Sequence, residues 1–206
     1  NQIQIKSDIG LTFATTLRSI LRHDPDIIMV GEMRDSETAK IGVNSALTGH
    51  LVLTTLHTNT ASGAVTRLLD LDVQAFLIAS TLRLVIAQRL VRKLCTSCRT
   101  HHDKLPDRVV ASMQSAGFKL KPGEKLWKAV GCEACGGTGY QGRAAIFEFL
   151  VIDEDLRKLI KPGVNSDDIS AAARARSMPS IVADGYAKAK EGLTTMEEVA
   201  RVALEE

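Results

Sequence analysis

The sequence predicts an α/β fold, with amphipathic helices packed on the faces of a sheet. Two short apolar runs, IIMV at residues 27–30 and LVLTTL at residues 51–56, have the length and composition of strands. The stretches around them repeat apolar residues at helical spacing, a pattern that needs a sheet face to pack on. A chain of 206 residues, 45% hydrophobic and 24% charged, can bury a real core and carry a smaller module besides.

The elements follow in order. Residues 2–6 alternate Ile3 and Ile5 with polar side chains, as a half-buried strand does, and Gly10 ends that pattern. Phe13, Leu17, Ile20 and Leu21 form one face of a helix, with Arg18 and Arg22 turned outward. Pro25 forces Asp24 out of helical geometry. Residues 27–30 then read as a central strand. Ser36 is the expected cap of the next helix, whose face is Ala39, Gly42, Val43, Ala46 and Leu47, with Gly49 as its stop. After the strand at 51–56, Thr60 is the expected cap of a helix with Ala61, Ala64, Val65, Leu68 and Leu69 inward. Ile78, Leu82, Val85, Ile86 and Leu90 predict a longer helix with Arg83, Arg89 and Arg92 elsewhere on its surface. The texture changes after Arg92. AIFEFLVI at residues 145–152 reads as a strand, and the segment from Asp153 reads as helical, with caps at Ser166, Ser180 and Thr194. The expected division is 1–92, 93–143 and 144–206.

Several function classes are disfavoured by composition. A net charge of +2 is too small to imply nucleic acid, and 4% aromatic residues leave few rings for a single-strand stacking platform. Every long apolar run is broken by Arg, Thr or Gln, so no membrane span is expected. The opening NQIQIKSD is unlike a signal peptide and reads as the interior of a fold with an upstream part absent. Arg83, Arg89, Arg92, Lys93, Arg99 and Lys104 make a basic neighbourhood, either a solvated face or a contact for a neighbouring subunit or anionic lipid.

Chemistry concentrates at two places. The first is the pair of strand ends. Glu32 follows IIMV and His57 follows LVLTTL, and ligands of open α/β sheets sit beyond the carboxyl ends of strands. A carboxylate there can orient or deprotonate an attacking water, or hold Mg²⁺ through water. An imidazole on the neighbouring strand can contact a terminal phosphate. The competing reading is a turn glutamate and a hydrogen-bonded structural histidine. No glycine-rich loop ending in Lys-Ser/Thr occurs in the 206 residues.

The second is the cysteine set. Cys95-x-x-Cys98 and Cys132-x-x-Cys135 have the spacing of a four-thiolate structural zinc site, which contributes on the order of 10–16 kcal/mol coupled to folding. The glycines of CGGTGYQG allow backbone amides to approach the sulfurs. Redox pairs, a disulfide framework, and substitution of a thiolate by His101 or His102 are the alternatives. CEACGGTG is also similar to one copy of the zinc repeat of type I J-domain chaperones, but there is one copy here and no His-Pro-Asp tripeptide.

DPDIIMVGEMRD resembles the atypical Walker B segment of the secretion ATPases that drive type II secretion and type IV pilus assembly. GHLVLTTLHTN resembles their histidine box, and GLTFATTLRSILRHDPD, VTRLLDLDV, AQRLVRKLC, the cysteine pairs and GRAAIFEFL extend the likeness over nearly the whole chain. The resemblance implies the C-terminal portion of a RecA-like ATPase domain, with an inserted zinc-binding subdomain and a helical C-terminal tail. It implies Glu32 as the catalytic glutamate and His57 as the γ-phosphate sensor. His50, Arg34 and Asp35 are implied as supporting groups at the nucleotide site. Also implied are ATP, Mg²⁺ and Zn²⁺ as cofactors, a hexameric ring of copies, an inner-membrane platform protein as partner, no specific nucleic acid, and a cytoplasmic location peripheral to the inner membrane. The family's phosphate-binding loop precedes the segment that opens this chain, so these residues alone are expected to be inactive. Retraction ATPases generally lack the tetracysteine insert, so assembly or secretion is favoured. The alternative from another class is a zinc-stabilised module that docks protein or nucleic acid without catalysis.

Overall fold

The computed structural model describes residues 2–102, 104–115, 117–119 and 125–204. Residues 2–6 form no strand: Lys6 makes only an isolated bridge to Leu11, closing a turn at Gly10 (φ 77°). Alternation alone fails there because no described strand pairs with it. Helix α1 (Phe13–Ile20) is capped by Thr12, which accepts the Thr15 amide, while the Thr15 hydroxyl accepts the Thr12 amide at 3.0 Å. Asp24 takes a left-handed conformation before Pro25.

Strands β1 (Ile27–Val30) and β2 (Leu51–Thr54) run parallel, Ile27 opposite Leu51 and Val30 opposite Thr54, with helix α2 (Ser36–Leu47) between them in sequence. β1 is not buried on both faces as a central strand would be. Ile28 and Val30 are buried, but Ile27 is 62% and Met29 77% exposed, because β2 is its one partner among the described residues. The cap of α2 is Asp35 rather than Ser36, its carboxylate accepting the Thr38 amide at 2.8 Å. Of the expected inner face, Ala39, Gly42 and Val43 are buried and Leu47 is exposed. Thr38 and Ser45 take inner places, each with its hydroxyl bonded locally. Gly49 (φ 108°) ends α2 as expected.

Helix α3 (Gly63–Asp70) starts where the Thr60 hydroxyl accepts the Gly63 amide, and α4 (Ala75–Thr81) follows. The expected long helix through residues 78–90 does not form. α4 stops at Thr81, and Leu84–Leu94 is strand β3. The β-branched Val85, Ile86 and Val91 favour extended backbone, and β3 has a partner in β6 (Tyr140–Val151). The Ile152 amide bonds the Arg83 carbonyl at one end, and the Cys95 amide bonds the Gly139 carbonyl at the other, so the two strands run in opposite senses. Between them in sequence lie a small antiparallel pair, β4 (Thr100–His101) with β5 (Trp127–Lys128), and helix α5 (Asp107–Ser115). Four helices follow: α6 (Glu154–Leu159), α7 (Ser166–Ala175), α8 (Ile181–Lys190) and α9 (Met196–Leu204). Ser180 caps α8 as expected. The cap of α7 is Asn165 rather than Ser166, and at α9 the Thr195 hydroxyl, not that of Thr194, accepts the Glu198 amide.

The chain forms two compact units. One comprises residues 1–85 and 150–176, where α2 packs on α1, α4 and β2, and α7 packs on α3 and α6. The other comprises residues 86–149 and 177–206. Its core is Val109, Met113, Leu126, Val182, Met196 and Val199, drawn mainly from α5, α8 and α9. No described helix is long and apolar enough to cross a membrane.

Candidate functional site

Parallel pairing puts the ends of β1 and β2 on one edge of the first unit. The pairing continues past the strands: the Met33 amide donates to the Thr55 carbonyl at 3.2 Å, and the Thr55 hydroxyl to the Gly31 carbonyl at 2.7 Å. Met33 is buried, and its methyl occupies the place where a Cβ on Gly42 of α2 would sit. Glu32 and Arg34 flank Met33, whose amide is tied to the Thr55 carbonyl.

Glu32 and His57 meet at this edge, His57 Nε2 lying 3.0 Å from Glu32 Oε2. Arg34 Nη2 forms an ion pair with the other oxygen, Oε1. The Arg34 guanidinium holds the Glu32 carboxyl below its ordinary range, and His57 acts in the same sense against the opposing effect of burial. The result is an ionised carboxylate between two cationic or hydrogen-bonding groups. Such a set can align a water through the carboxylate and can offer an imidazole and a guanidinium to phosphoryl oxygens.

Asp35 stands apart from this chemistry. One oxygen accepts the Thr38 amide and the other the Thr38 hydroxyl at 3.0 Å, so it anchors α2. His50 lies at the opposite end of β2, four residues or roughly 13 Å along the strand. Its Nδ1 sits 2.9 Å from the Ser45 carbonyl and 3.2 Å from the Thr48 hydroxyl, closing the end of α2. Thr55, which ties the two strand ends together, escaped the sequence reading. Its signal was the Thr-Thr pair just before His57.

The cysteines converge in the second unit, their four sulfurs within 4.8 Å of one another. Cys95–Cys132 and Cys98–Cys135 are each 3.9 Å apart, and Cys132–Cys135 3.8 Å. Thiolates at about 2.3 Å from a central tetrahedral ion are separated by about 3.8 Å, so the four fit such an ion and are far too distant for disulfides. Cys135 accepts the amides of Cys132 and Gly139, at 3.2 and 3.1 Å, which brings its thiol down to about 6. Burial pushes the Cys98 thiol up to about 11. Gly131 is required here, because a Cβ would lie 2.3 Å from the Gly137 carbonyl oxygen. Neither histidine joins the cluster: His101 stacks on Trp127, and His102 Nε2 lies 2.7 Å from Glu197.

Comparison with known proteins agrees with this architecture. A family model described as type II/IV secretion system protein matches residues 1–201. The type II secretion system protein HxcR of Pseudomonas aeruginosa is 50% identical over 202 residues, covering 98% of this chain and 39% of that protein. The type IV pilus assembly ATPase PilB of Thermus thermophilus is 49% identical over 199 residues, covering 97% of this chain and 22% of that one. The chain thus spans between about a fifth and two fifths of the length of these relatives. Among solved structures, the ADP-bound pilus retraction motor PilT is similar with a TM-score of 0.61 and 28% identity over 91% of this chain and 42% of that one. The Legionella pneumophila ATPase DotB is similar with a TM-score of 0.58 and 26% identity, again over 91% of this chain and 41% of that one. By sequence and by fold, the chain belongs to the type II/IV secretion system protein family.

Proposed function

We infer that this chain is the C-terminal portion of an ATP-hydrolysing motor subunit that powers type II protein secretion or type IV pilus assembly. The observation that carries the reading is the meeting of Glu32 and His57 beyond parallel strand ends, in a chain whose relatives include proteins named as ATPases. Glu32 is the catalytic glutamate: it orients the attacking water and takes its proton. His57 senses the γ-phosphate. Arg34 supports the phosphate side of the site, while Asp35 and His50 support it indirectly by fixing the two ends of α2. ATP brings the triphosphate, and Mg²⁺ neutralises charge on it. No phosphate-binding loop lies within residues 1–206, so that loop belongs to another part of the whole protein.

The chemical part of the chain is 1–92, in a RecA-like core. The inserted part, 93–143, holds one structural zinc through Cys95, Cys98, Cys132 and Cys135, and 144–206 forms the strand and helical C-terminal region. The sulfur spacing supports zinc in the tetracysteine cluster. The subunit works in a hexameric ring on the cytoplasmic side of the inner membrane, against a platform protein. A zinc-stabilised docking module without catalysis has no use for the Glu32–His57 contact.

The test uses the complete protein. Glu32→Gln lowers phosphate release by roughly 10²–10⁴-fold, the range of lost general-base catalysis, while nucleotide remains bound in a filter assay. Turnover near the parent rate would overturn the reading.

A further inference from the structure

Both oxygens of Glu32 are engaged: Oε2 faces His57 Nε2 at 3.0 Å, and Oε1 is held by Arg34. The carboxylate itself is confined, its side chain only 16% exposed. The two groups that hold it are open to solvent, Arg34 at 70% and His57 at 85%. Arg34 stands in the loop between β1 and α2. Its neighbour Asp35 is turned to α2 instead, its two oxygens accepting the Thr38 amide and hydroxyl. A guanidinium so placed has two anionic destinations. One is the carboxylate it now holds. The other is a phosphoryl oxygen brought to the same rim, which carries more charge and matches the planar fork of donors as well.

We propose that Arg34 is a latch on Glu32, exchanging between the carboxylate oxygen that it holds and the γ-phosphate of a bound triphosphate. The proposal rests on the nucleotide-hydrolysis reading. Departure of Arg34 frees Oε1 to accept a proton from water and removes the charge that keeps the carboxyl a poor base. The same movement places a cation where negative charge gathers in phosphoryl transfer. Base release and triphosphate occupancy thereby become one event. A diphosphate, having no γ-group, leaves the latch closed.

The test is a double-mutant cycle on the complete protein. The dissociation constants of a non-hydrolysable ATP analogue and of ADP are measured for the parent, Glu32→Gln, Arg34→Gln and the double variant. Freed from Glu32, Arg34 binds the analogue without first breaking an ion pair. Glu32→Gln therefore tightens analogue binding about two- to fivefold, the range of an exposed ion pair, and leaves ADP unchanged. Arg34→Gln weakens the analogue, and in its presence the gain from Glu32→Gln disappears. Arg34→Lys keeps the charge without the fork and falls between. An equal gain with and without Arg34 would contradict the latch, because it would reflect only relief of repulsion between Glu32 and phosphate. An analogue affinity indifferent to Arg34→Gln would contradict it as well. Failure of the parent protein to bind either nucleotide would instead overturn the hydrolysis reading, and the latch with it.

Discussion

At Glu198 a single side chain holds much of the second unit's polar interior together. It is 1% exposed, and its two oxygens accept the Arg92 amide and side chain at 3.1 and 2.7 Å and the Arg201 side chain at 3.0 and 2.6 Å. Burial alone would raise its carboxyl, but the Arg201 and Arg92 hydrogen bonds prevail and bring it from an ordinary 4.5 down to about 2. The folded value lies below the unfolded one, so its stabilising contribution is complete above about pH 4.5 and is lost as pH falls toward about 2. Glu198→Ala removes the shared acceptor of two guanidiniums that are each about half exposed and can be solvated instead, so it is expected to cost about 1–3 kcal/mol in a denaturant titration at pH 7, the range of lost hydrogen bonds to a charged group. It should also flatten the dependence of stability on pH below 4.5. In the sequence Arg92 belongs with its basic neighbours and Glu198 is unmarked, since nothing in the alternation of charges along α9 shows which carboxylate turns inward. Glu32 and His57 were legible because each ends an apolar run, and strand ends converge wherever parallel strands pair. Arg34's grip on Glu32 was not, because a side chain's choice between carboxylate and solvent leaves no periodic signature.

Among the elements, β3 shows where periodicity misleads. Apolar residues at 78, 82, 85, 86 and 90 fit one helical face, yet Leu84, Ile86 and Leu90 also alternate outward around the buried Val91, and pairing with β6 decides for the strand. Cap positions at α2, α7 and α9 were each displaced by one residue, because Asp35, Asn165 and Thr195 stand next to equally plausible hydroxyls. Helix packing depends on small residues that propensity ranks low. A Cβ on Gly185 of α8 would lie 2.6 and 2.9 Å from the two methyls of Val199 on α9, whose branched side chain has little freedom to withdraw. Gly185→Ala is therefore expected to destabilise by about 1–3 kcal/mol, the usual range for an overpacked core, despite its gain in helix propensity. Equal or higher thermal stability of that variant would mean that the two helices pack less closely than described. Gly42 differs: the atom its Cβ would meet is the terminal methyl of Met33, the free end of an unbranched side chain that can swing aside.

For the whole molecule, the α/β class, the meeting of Glu32 with His57 and the convergence of the four cysteines could be read from the residue pattern, whereas the division into compact units could not. Both β3 and β6 pass from one unit into the other, and no change of composition marks a boundary inside a continuous strand. Freshly purified protein is expected to contain about one zinc per chain, and a strong chelator should lower its melting temperature. Metal analysis returning none would remove that claim. Residues 1–206 by themselves should release no phosphate from ATP. Whether hydrolysis takes place where Glu32 and His57 meet is decided by the structure of the complete protein with a non-hydrolysable ATP analogue bound. The γ-phosphate is expected within about 3 Å of His57 Nε2 and one water away from the Glu32 carboxylate. A triphosphate bound at the opposite end of the β1–β2 pair, beside His50, would contradict that placement.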